Sequence, residues 1–355
     1  MISGLSLRDR AASLTGAMRR VLVSARAVVQ ALGAFAATTL ALVATATAQT
    51  TQPTMQDLAV AIGTVDYSAV QLRRFRDTTH GVITTRERID VAANGTAMPA
   101  FAVTFLGVEG QLPGSPLHLQ WQQTYSRFGN LFFSHGTFRV RDLARAAQNY
   151  TIYDFGVVTR AGRTAQRLVV FPSRLDKSMW VVDVDAQTRV PLYTAEFDAQ
   201  LTVVSELEML TFTVGAGPIP ATQFTSLHPN FQAARAAMGN PAEMINPVIN
   251  AAAEYGIERV EVHTDPVNGR SKLMMTYTDG VDQFVVVQSP GTSDFLGALP
   301  GTKRGGKAIA RYRDPAMSAL LFWEGGVSFH VAGRGTMRRL DDVAHRLFAQ
   351  AIATN

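Results

Sequence analysis

Apolar and polar residues alternate in a strand-like run in the middle of this chain, which constrains its fold more than any other feature. In the run MWVVDVD, Trp180, Val182 and Val184 alternate with Asp183 and Asp185. A period of two predicts a strand of an antiparallel sheet, and we expect the three apolar residues to face a core and the two aspartates to face water.

Short connections around this run predict how its neighbours pair. The segments 186–189 and 198–200 have hairpin length, so three consecutive strands should form a meander. In the third strand the polar positions of Glu206 and Glu208 are taken over by apolar residues, which predicts a bulge near Met209.

Similar patterns extend over most of the chain. The first half has predicted strands at Thr78–Val91, Ala100–Gly107, Leu117–Tyr125, Asn130–Phe138, Gln166–Phe171, Met179–Asp185, Val190–Asp198 and Thr202–Val214. The second half has them at Ile257–His263, Lys272–Tyr277, Asp282–Gln288, Lys307–Tyr312, Ala319–Trp323 and Val327–Val331. Helices are predicted at Leu58–Asp77, Arg139–Gln148, Phe231–Tyr255 with interruptions at its prolines, and Met337–Ala351.

The 355 residues exceed the usual size of one hydrophobic core, so two domains are expected. Gly215–Pro229 is rich in Gly, Pro and Thr and is interpreted as the linker. We therefore predict an α+β protein with a larger N-terminal domain, residues 49–220. A smaller C-terminal domain, residues 221–355, is predicted to be an antiparallel sheet closed by a helix.

The N-terminus has the order of a secretory signal peptide. Five arginines are followed by the apolar run Ala27–Val43 and then by small residues, which predicts cleavage after Ala48 and export to the periplasm. The alternative is an uncleaved membrane anchor, because the apolar run is at the lower limit of a spanning helix. The long basic head also permits a start at Met18.

The charge of the chain is concentrated in this N-terminal segment. The whole sequence has a net charge of +5, but residues after Ala48 hold 28 basic and 27 acidic side chains, a net charge of +1. A nearly neutral mature protein gives no electrostatic reason to expect nucleic acid. The chain has no cysteine, which excludes disulfides, thiolate catalysis and lipoprotein attachment.

Catalytic motifs are absent from the sequence. The seven histidines show no HExxH or paired spacing, and no serine lies in a GxSxG turn. Asp183, Asp185 and Asp198 lack the spacing of a calcium loop. We expect no cofactor and no enzyme activity, although a metal site assembled from distant segments and an envelope hydrolase stay open as minor alternatives.

A glycine-rich stretch, GTKRGGKA at 301–308, imitates a phosphate loop until Ala308, where the hydroxyl residue is missing. The strand-like residues that follow it are also the wrong context. The stretch and the strand after it concentrate positive charge in Lys303, Arg304, Lys307, Arg311 and Arg313. These residues are either a solvated hairpin tip or a docking patch for an acidic peptide or a lipid phosphate.

Large apolar residues cluster in the first half of the chain. They fit an ordinary core or, alternatively, the lining of a concave sheet that accepts a lipid. The candidate ligand-binding residues are Trp121, Tyr125, Phe132, Trp180, Val182 and Phe197.

Two segments resemble the RseB/MucB-type periplasmic regulators of anti-sigma factors. In Tyr150–Val214 the resemblance lies in the order of YDF, RLVVF, WVVDVDAQT, a Pro-Leu pair and FDAQL. In the second half, YTDGVDQFVVVQ at Tyr277–Gln288 is similar to the small-domain hairpin of that family, and Gly325–Phe348 to its closing strand and helix.

The resemblance implies an N-terminal half-barrel sheet with helices like that of the lipoprotein carrier LolA, and a smaller C-terminal domain. It also implies a negative regulator of an extracytoplasmic sigma factor in the envelope stress response. Such a regulator binds the periplasmic part of a membrane-anchored anti-sigma factor and releases it when a lipid or lipoprotein is sensed. The alternative on the same scaffold is a periplasmic lipid or lipoprotein carrier.

Overall fold

The structure is a computed structural model of the chain. It describes residues 53–77, 81–95, 99–174, 177–198, 200–215, 217, 219, 225–247, 255–264, 269–290, 301–304, 307–314, 317–324, 326–333, 340, 343–345 and 347. The predicted signal peptide, 1–48, its alternative as an anchor and the alternative start at Met18 lie outside the described residues.

The described elements form an α+β fold, as predicted. The helices are α1 (Met55–Thr64), α2 (Pro116–Gly136), α3 (Leu143–Asn149) and α4 (Phe231–Ala237). The strands of the first sheet are β1 (Tyr67–Asp77), β2 (Gly81–Ala92), β3 (Ala100–Val108), β4 (Tyr150–Arg160), β5 (Arg163–Pro172), β6 (Met179–Asp185), β7 (Pro191–Phe197) and β8 (Val203–Val214). Those of the second are β9 (Thr225–His228), β10 (Gly256–Thr264), β11 (Ser271–Thr278), β12 (Gln283–Pro290), β13 (Gly301–Arg304), β14 (Lys307–Asp314), β15 (Met317–Glu324) and β16 (Val327–Gly333).

The first sheet has the strand order β3-β2-β1-β8-β7-β6-β5-β4, with neighbouring strands antiparallel. The predicted meander is confirmed as β6-β7-β8. The predicted bulge is also confirmed, because β1 pairs Val70 with Thr211 and Gln71 with Met209, which leaves Leu210 as the extra residue.

The prediction of one helix over Leu58–Asp77 is wrong beyond Thr64. The helix begins at a capping box in which Thr54 accepts from the backbone N–H of Asp57, and it ends before Val65. The next residues form β1, in which alternate side chains such as Tyr67, Ala69 and Phe75 are buried. Pairing with β2 on one side and β8 on the other outweighs the loose helical pattern.

The predicted strands Leu117–Tyr125 and Asn130–Phe138 are wrong, because the single helix α2 covers most of both. Ser115 caps its first turn, and a proline occupies the start of the helix. Trp121 and Tyr125 are one helical turn apart and face the first sheet, where the Trp121 ring stacks on Phe75 at a centroid distance of 5.2 Å. Aromatic residues that favour strands in isolation here form one apolar helical face.

The second sheet has the order β13-β14-β15-β16-β12-β11-β10-β9. Six of its strands were predicted. The strand β9 lies in the predicted linker, and β13 lies in the stretch interpreted as a loop. The strands are four to nine residues long, against seven to twelve in the first sheet, so the second sheet is the smaller one.

Helices cover one face of the second sheet. Phe231 and Ala234 of α4 share a core with Leu273, Val286 and Phe329 of the strands. The helix predicted over Phe231–Tyr255 ends at Ala237, and 238–247 are not helical. In the predicted C-terminal helix the described residues are helical, and four of the predicted stripe belong to the same core: Leu340, Val343, Ala344 and Leu347.

Residues Thr51–Asn355 form one compact unit. The predicted division at 220/221 coincides with the change from the first sheet to the second and stays a prediction. Contacts between the two sheets therefore matter for any functional site.

Candidate functional site

The turn between β11 and β12 is built around one aspartate. The Asp279 carboxylate oxygen Oδ1 accepts the backbone N–H groups of Val281 at 3.1 Å and Asp282 at 2.9 Å. Gly280, which lies between Asp279 and Val281, has φ +111°, a conformation that favours glycine. The Asp-Gly pair of the YTDGVD motif thus fixes the shape of this hairpin.

The turn carries Asp279 to a buried lysine that lies between β5 and β6 of the first sheet. Lys177 Nζ lies 2.7 Å from Asp279 Oδ2, and both side chains are 0% exposed. The Tyr150 hydroxyl donates to the same oxygen at 3.0 Å, and Asn149 Nδ2 donates to the Asp279 carbonyl at 2.9 Å. Asp279, in a turn of the second sheet, therefore contacts three residues from the first half of the chain.

The backbone of the turn is packed as tightly as its side chain. The Arg141 N–H donates to the Gly280 carbonyl at 2.7 Å. A Cβ atom on Gly280 would lie 2.2 Å from the backbone nitrogen of Ala146 in α3, so a side chain has no room there. Val281 belongs to the same hydrophobic core as Trp180 and Val182 of β6. This core of the first sheet therefore extends into the turn.

A second buried ion pair lies beside the turn. Arg141 Nη1 is 3.1 Å from Glu258 Oε1 of β10, and Arg141 Nη2 donates to the Ser134 carbonyl at 2.6 Å. Gln283 of β12 donates to that carbonyl as well, at 3.3 Å. We call the set Arg141, Tyr150, Lys177, Glu258, Asp279 and Gly280 the joint.

Burial dominates the electrostatics of the joint. Burial raises the pKa of Asp279, the neighbouring Asp282 carboxylate raises it further, and the Lys177 ammonium opposes both effects. A lysine and an aspartate that are both closed to solvent can hold the sheets together but cannot reach a substrate. The chemistry of the joint is therefore structural, with a charged contact whose loss is costly.

The sequence did not single out the joint residues as a site. The feature that could have indicated them is the Asp-Gly turn between strongly apolar strands. A carboxylate in such a turn requires a partner if the turn is buried. The partner, Lys177, follows a predicted strand at a distant position, and only the fold places it there.

The predicted ligand-binding residues are buried in hydrophobic clusters. Trp121, Tyr125 and Phe132 pack with Phe75 in one cluster, whereas Trp180 and Val182 lie in a different cluster under α1 and α3. Phe197, on β7, is also buried. The structure thus brings the first three together but not all six, and their role in ligand binding stays a prediction.

The predicted basic residues lie on two neighbouring strands at one edge of the second sheet. Lys303 pairs with Ala308 and Arg304 with Lys307, across the two-residue tip of the β13–β14 hairpin. Arg311 and Arg313 lie further along β14, opposite Leu320 and Ser318 of β15. The two strands pair as a hairpin, and both the solvated tip and partner binding by these five residues stay predictions.

The expectation that Asp183 and Asp185 face water is wrong. Asp183 is 0% exposed and accepts from Arg160 Nε at 2.6 Å and Arg167 Nε at 2.7 Å, and Asp185 accepts from Arg163 Nε at 2.7 Å. Although burial raises the pKa of Asp185, its hydrogen bonds from Arg163 and Thr188 hold that pKa below its usual value. Arginines of β4 and β5 close this face of the sheet, which no local pattern predicts.

The described part of the chain offers no candidate metal centre and no candidate membrane span. No group of three or more His, Asp or Glu side chains there could hold a metal ion. No helix among the described residues is long and apolar enough to cross a membrane.

Comparisons with known proteins give structural similarity alone. No family model and no curated protein matches this chain. The complex of Pseudomonas aeruginosa MucA and MucB is 16% identical, with a TM-score of 0.44, over 82% of this chain and 95% of that chain. A structure of MucB is 14% identical, with a TM-score of 0.45 and the same coverage.

A putative outer membrane lipoprotein-sorting protein domain from Vibrio parahaemolyticus is 10% identical, with a TM-score of 0.21, over 46% of this chain and 92% of that chain. At these identities and TM-scores, the similarities establish neither a family nor a function for this chain.

Proposed function

We propose that this chain is a periplasmic negative regulator of an extracytoplasmic sigma factor. It is secreted across the inner membrane, is cleaved after Ala48 and binds the periplasmic part of a membrane-anchored anti-sigma factor. Binding shields that protein from regulated proteolysis until an envelope-stress ligand, a lipid or lipoprotein, weakens the complex.

The observation that carries the proposal is the 3.0 Å hydrogen bond from Tyr150 to Asp279. It joins Tyr150–Val214 to Tyr277–Gln288, the two segments with the clearest motifs of the RseB/MucB resemblance. Motifs that are far apart in the chain thus form one structural contact. This relationship supports reading them together as parts of one two-sheet binding protein.

The joint favours a binding role over a catalytic one. Its charged groups are buried between the two sheets, where they fix the relative position of the sheets. A surface that spans two sheets held in this way is organised before the partner arrives, so little conformational entropy is lost on binding.

Release requires a second conformation that binds the partner less well. A ligand shifts the population towards that conformation only by the difference between its affinities for the two. An acyl chain that enters among Trp121, Tyr125 and Phe132 must displace their mutual contacts, which join α2 to the first sheet. In this mechanism no covalent bond is made or broken.

Affinity capture tests the proposal. The full chain, with its own N-terminal segment and a C-terminal tag, is expressed in its bacterium and captured from envelope extract. Bound proteins and extracted lipids are then identified by mass spectrometry. We expect a single-span protein encoded beside a sigma factor. Recovery of lipoproteins or lipids without such a protein would instead favour the carrier and reject the regulator.

A further inference from the structure

The strand β4 leaves an apolar surface open at the edge of the first sheet. It pairs with β5 on one side and is the last strand of the sheet. Three of its apolar side chains are strongly exposed: Tyr153 by 52%, Phe155 by 47% and Val157 by 66%. Neighbouring exposed apolar residues of this kind often mark a binding surface.

The other three edges carry the protection that natural sheets use. The opposite edge of the first sheet, β3, is packed by α2, with the rings of Phe105 and Tyr125 5.0 Å apart. The edges of the second sheet, β9 and β13, are four residues long, and β13 contains Lys303 and Arg304. By contrast β4 has eleven residues.

A bulge determines what β4 can offer a partner. Asp154 pairs with Leu168 and Val157 with Gln166, so Phe155 and Gly156 together face one residue of β5. Gly156 has φ +90°, a conformation that favours glycine. The bulge interrupts the outer row of backbone groups, so a partner meets mainly the side chains here rather than a continuous strand edge.

A carboxylate lies between the two aromatic residues in the sequence, and because Asp154 pairs with Leu168 whereas Tyr153 pairs with Val169, its side chain is on the other face of the strand. Asp154 Oδ1 accepts the Gly156 N–H at 2.7 Å and the Gln166 side-chain amide. Within the part of the chain that the structure describes, Asp154 makes no ion pair, although it is the only charged residue between Tyr150 and Thr159. A cation in a partner would find its counter-ion there.

We propose that Tyr153, Asp154, Phe155 and Val157 form a docking surface for an extended peptide segment with apolar side chains on both sides of a lysine or arginine. Alternate side chains of an extended segment point to opposite faces, so the apolar ones pack on Tyr153 and Phe155 while the cation between them pairs with Asp154 on the other face, beside Val157. The proposal rests on the proposed function, since the segment belongs to the periplasmic part of the membrane-anchored partner. We call these four residues the β4 surface.

The test compares full-length variants in the capture experiment. Phe155→Ser removes an exposed ring, and Asp154→Asn removes the charge while its remaining oxygen can still accept from Gly156. Val82→Ser is the matched control, because Val82 of β2 is 64% exposed, much like Val157, but lies outside the β4 surface. Thermal unfolding midpoints equal to that of the wild type show that each variant folds. Tyr153→Ser repeats the test at the exposed ring that precedes the bulge in β4.

We expect Phe155→Ser and Tyr153→Ser to recover less than about a tenth of the single-span partner, as for the loss of a central aromatic contact. Asp154→Asn should recover severalfold less at low salt, and the difference should shrink at high salt. Val82→Ser should match the wild type.

Two other outcomes overturn the inference in different ways. Equal recovery of the partner by every variant places docking elsewhere and leaves the proposed function intact. If the wild type recovers no single-span partner, the proposed function fails and the β4 surface loses the occupant that we assign to it.

Discussion

Lys177 and Asp279 form an ion pair of 2.7 Å that is closed to solvent and connects the two sheets. Each charge was removed from water, so each depends on the other. This contact, with the tyrosine and backbone bonds around it, makes the hairpin turn of the second sheet part of the core of the first.

Lys177→Met should lower the free energy of unfolding by about 3–5 kcal/mol, because it leaves the Asp279 carboxylate buried without a counter-ion. Urea unfolding of the full chain measures this. The control is Arg86→Met, whose pair with Glu109 at 3.1 Å is half-exposed and should cost about 0–1 kcal/mol. Adding Asp279→Asn to Lys177→Met should cost less than the sum of the single changes. Additive losses would mean that the pair is not coupled.

Gly280→Ala should destabilise the protein by more than about 2 kcal/mol, since the new methyl group meets the backbone of α3 in addition to adopting an unfavourable φ. Gly110→Ala is the matched control. Gly110 also has positive φ, +73°, but open space around its Cβ position, so only about 1 kcal/mol should be lost. Denaturation midpoints decide the matter, and equal losses would contradict the packing at Ala146.

Asp183→Asn should cost about 2–3 kcal/mol. This is less than for a fully buried pair, because its partners Arg160 and Arg167 are 22% and 31% exposed and can regain water. Asp198→Asn is the comparison, since Asp198 accepts backbone N–H groups of Gln200 and Thr202 that an amide oxygen can also accept. A small effect at both positions, measured by chemical denaturation, would argue against the arginine contacts.

His330 predicts a specific dependence of stability on pH. Burial, with a smaller effect of Lys272, lowers its pKa from 6.5 to about 4. As the pH falls below 6.5 the unfolded chain binds a proton before the folded protein does, so stability is lost between pH 6.5 and about 4. His330→Gln should remove up to about 2–3 kcal/mol of the loss between pH 7 and 4.5. Denaturation series at both pH values test this, and identical losses in variant and wild type would refute it.

The sequence predicted the strands whose pattern is local. MWVVDVD gave β6 and its core-facing residues, because alternation with period two needs no distant information. The prediction that the other face of that strand is exposed to water failed, because arginines of β4 and β5 cover Asp183. The helix α2 was also missed, because its aromatic residues fit either a strand or one helical face until a sheet surface is placed beneath them.

The joint shows a different limit. The YTDGVD motif contains the turn chemistry, and the hairpin β11–β12 was predicted in outline. Nothing near Lys177 in sequence indicates that it meets Asp279, because that pairing follows from how the two sheets pack. The β4 surface was missed for a related reason, since β4 was not among the predicted strands and exposure at a sheet edge depends on the strand order.

Deleting the gene and measuring genome-wide transcript levels tests the central claim most directly. A negative regulator predicts that transcripts controlled by one extracytoplasmic sigma factor rise in the deletion strain and return to their original level when the wild-type chain is restored. The Arg86→Met chain, whose stability should be close to that of the wild type, should restore them as well. If the deletion leaves those transcripts unchanged or lowers them, the chain is not a negative regulator of a sigma factor.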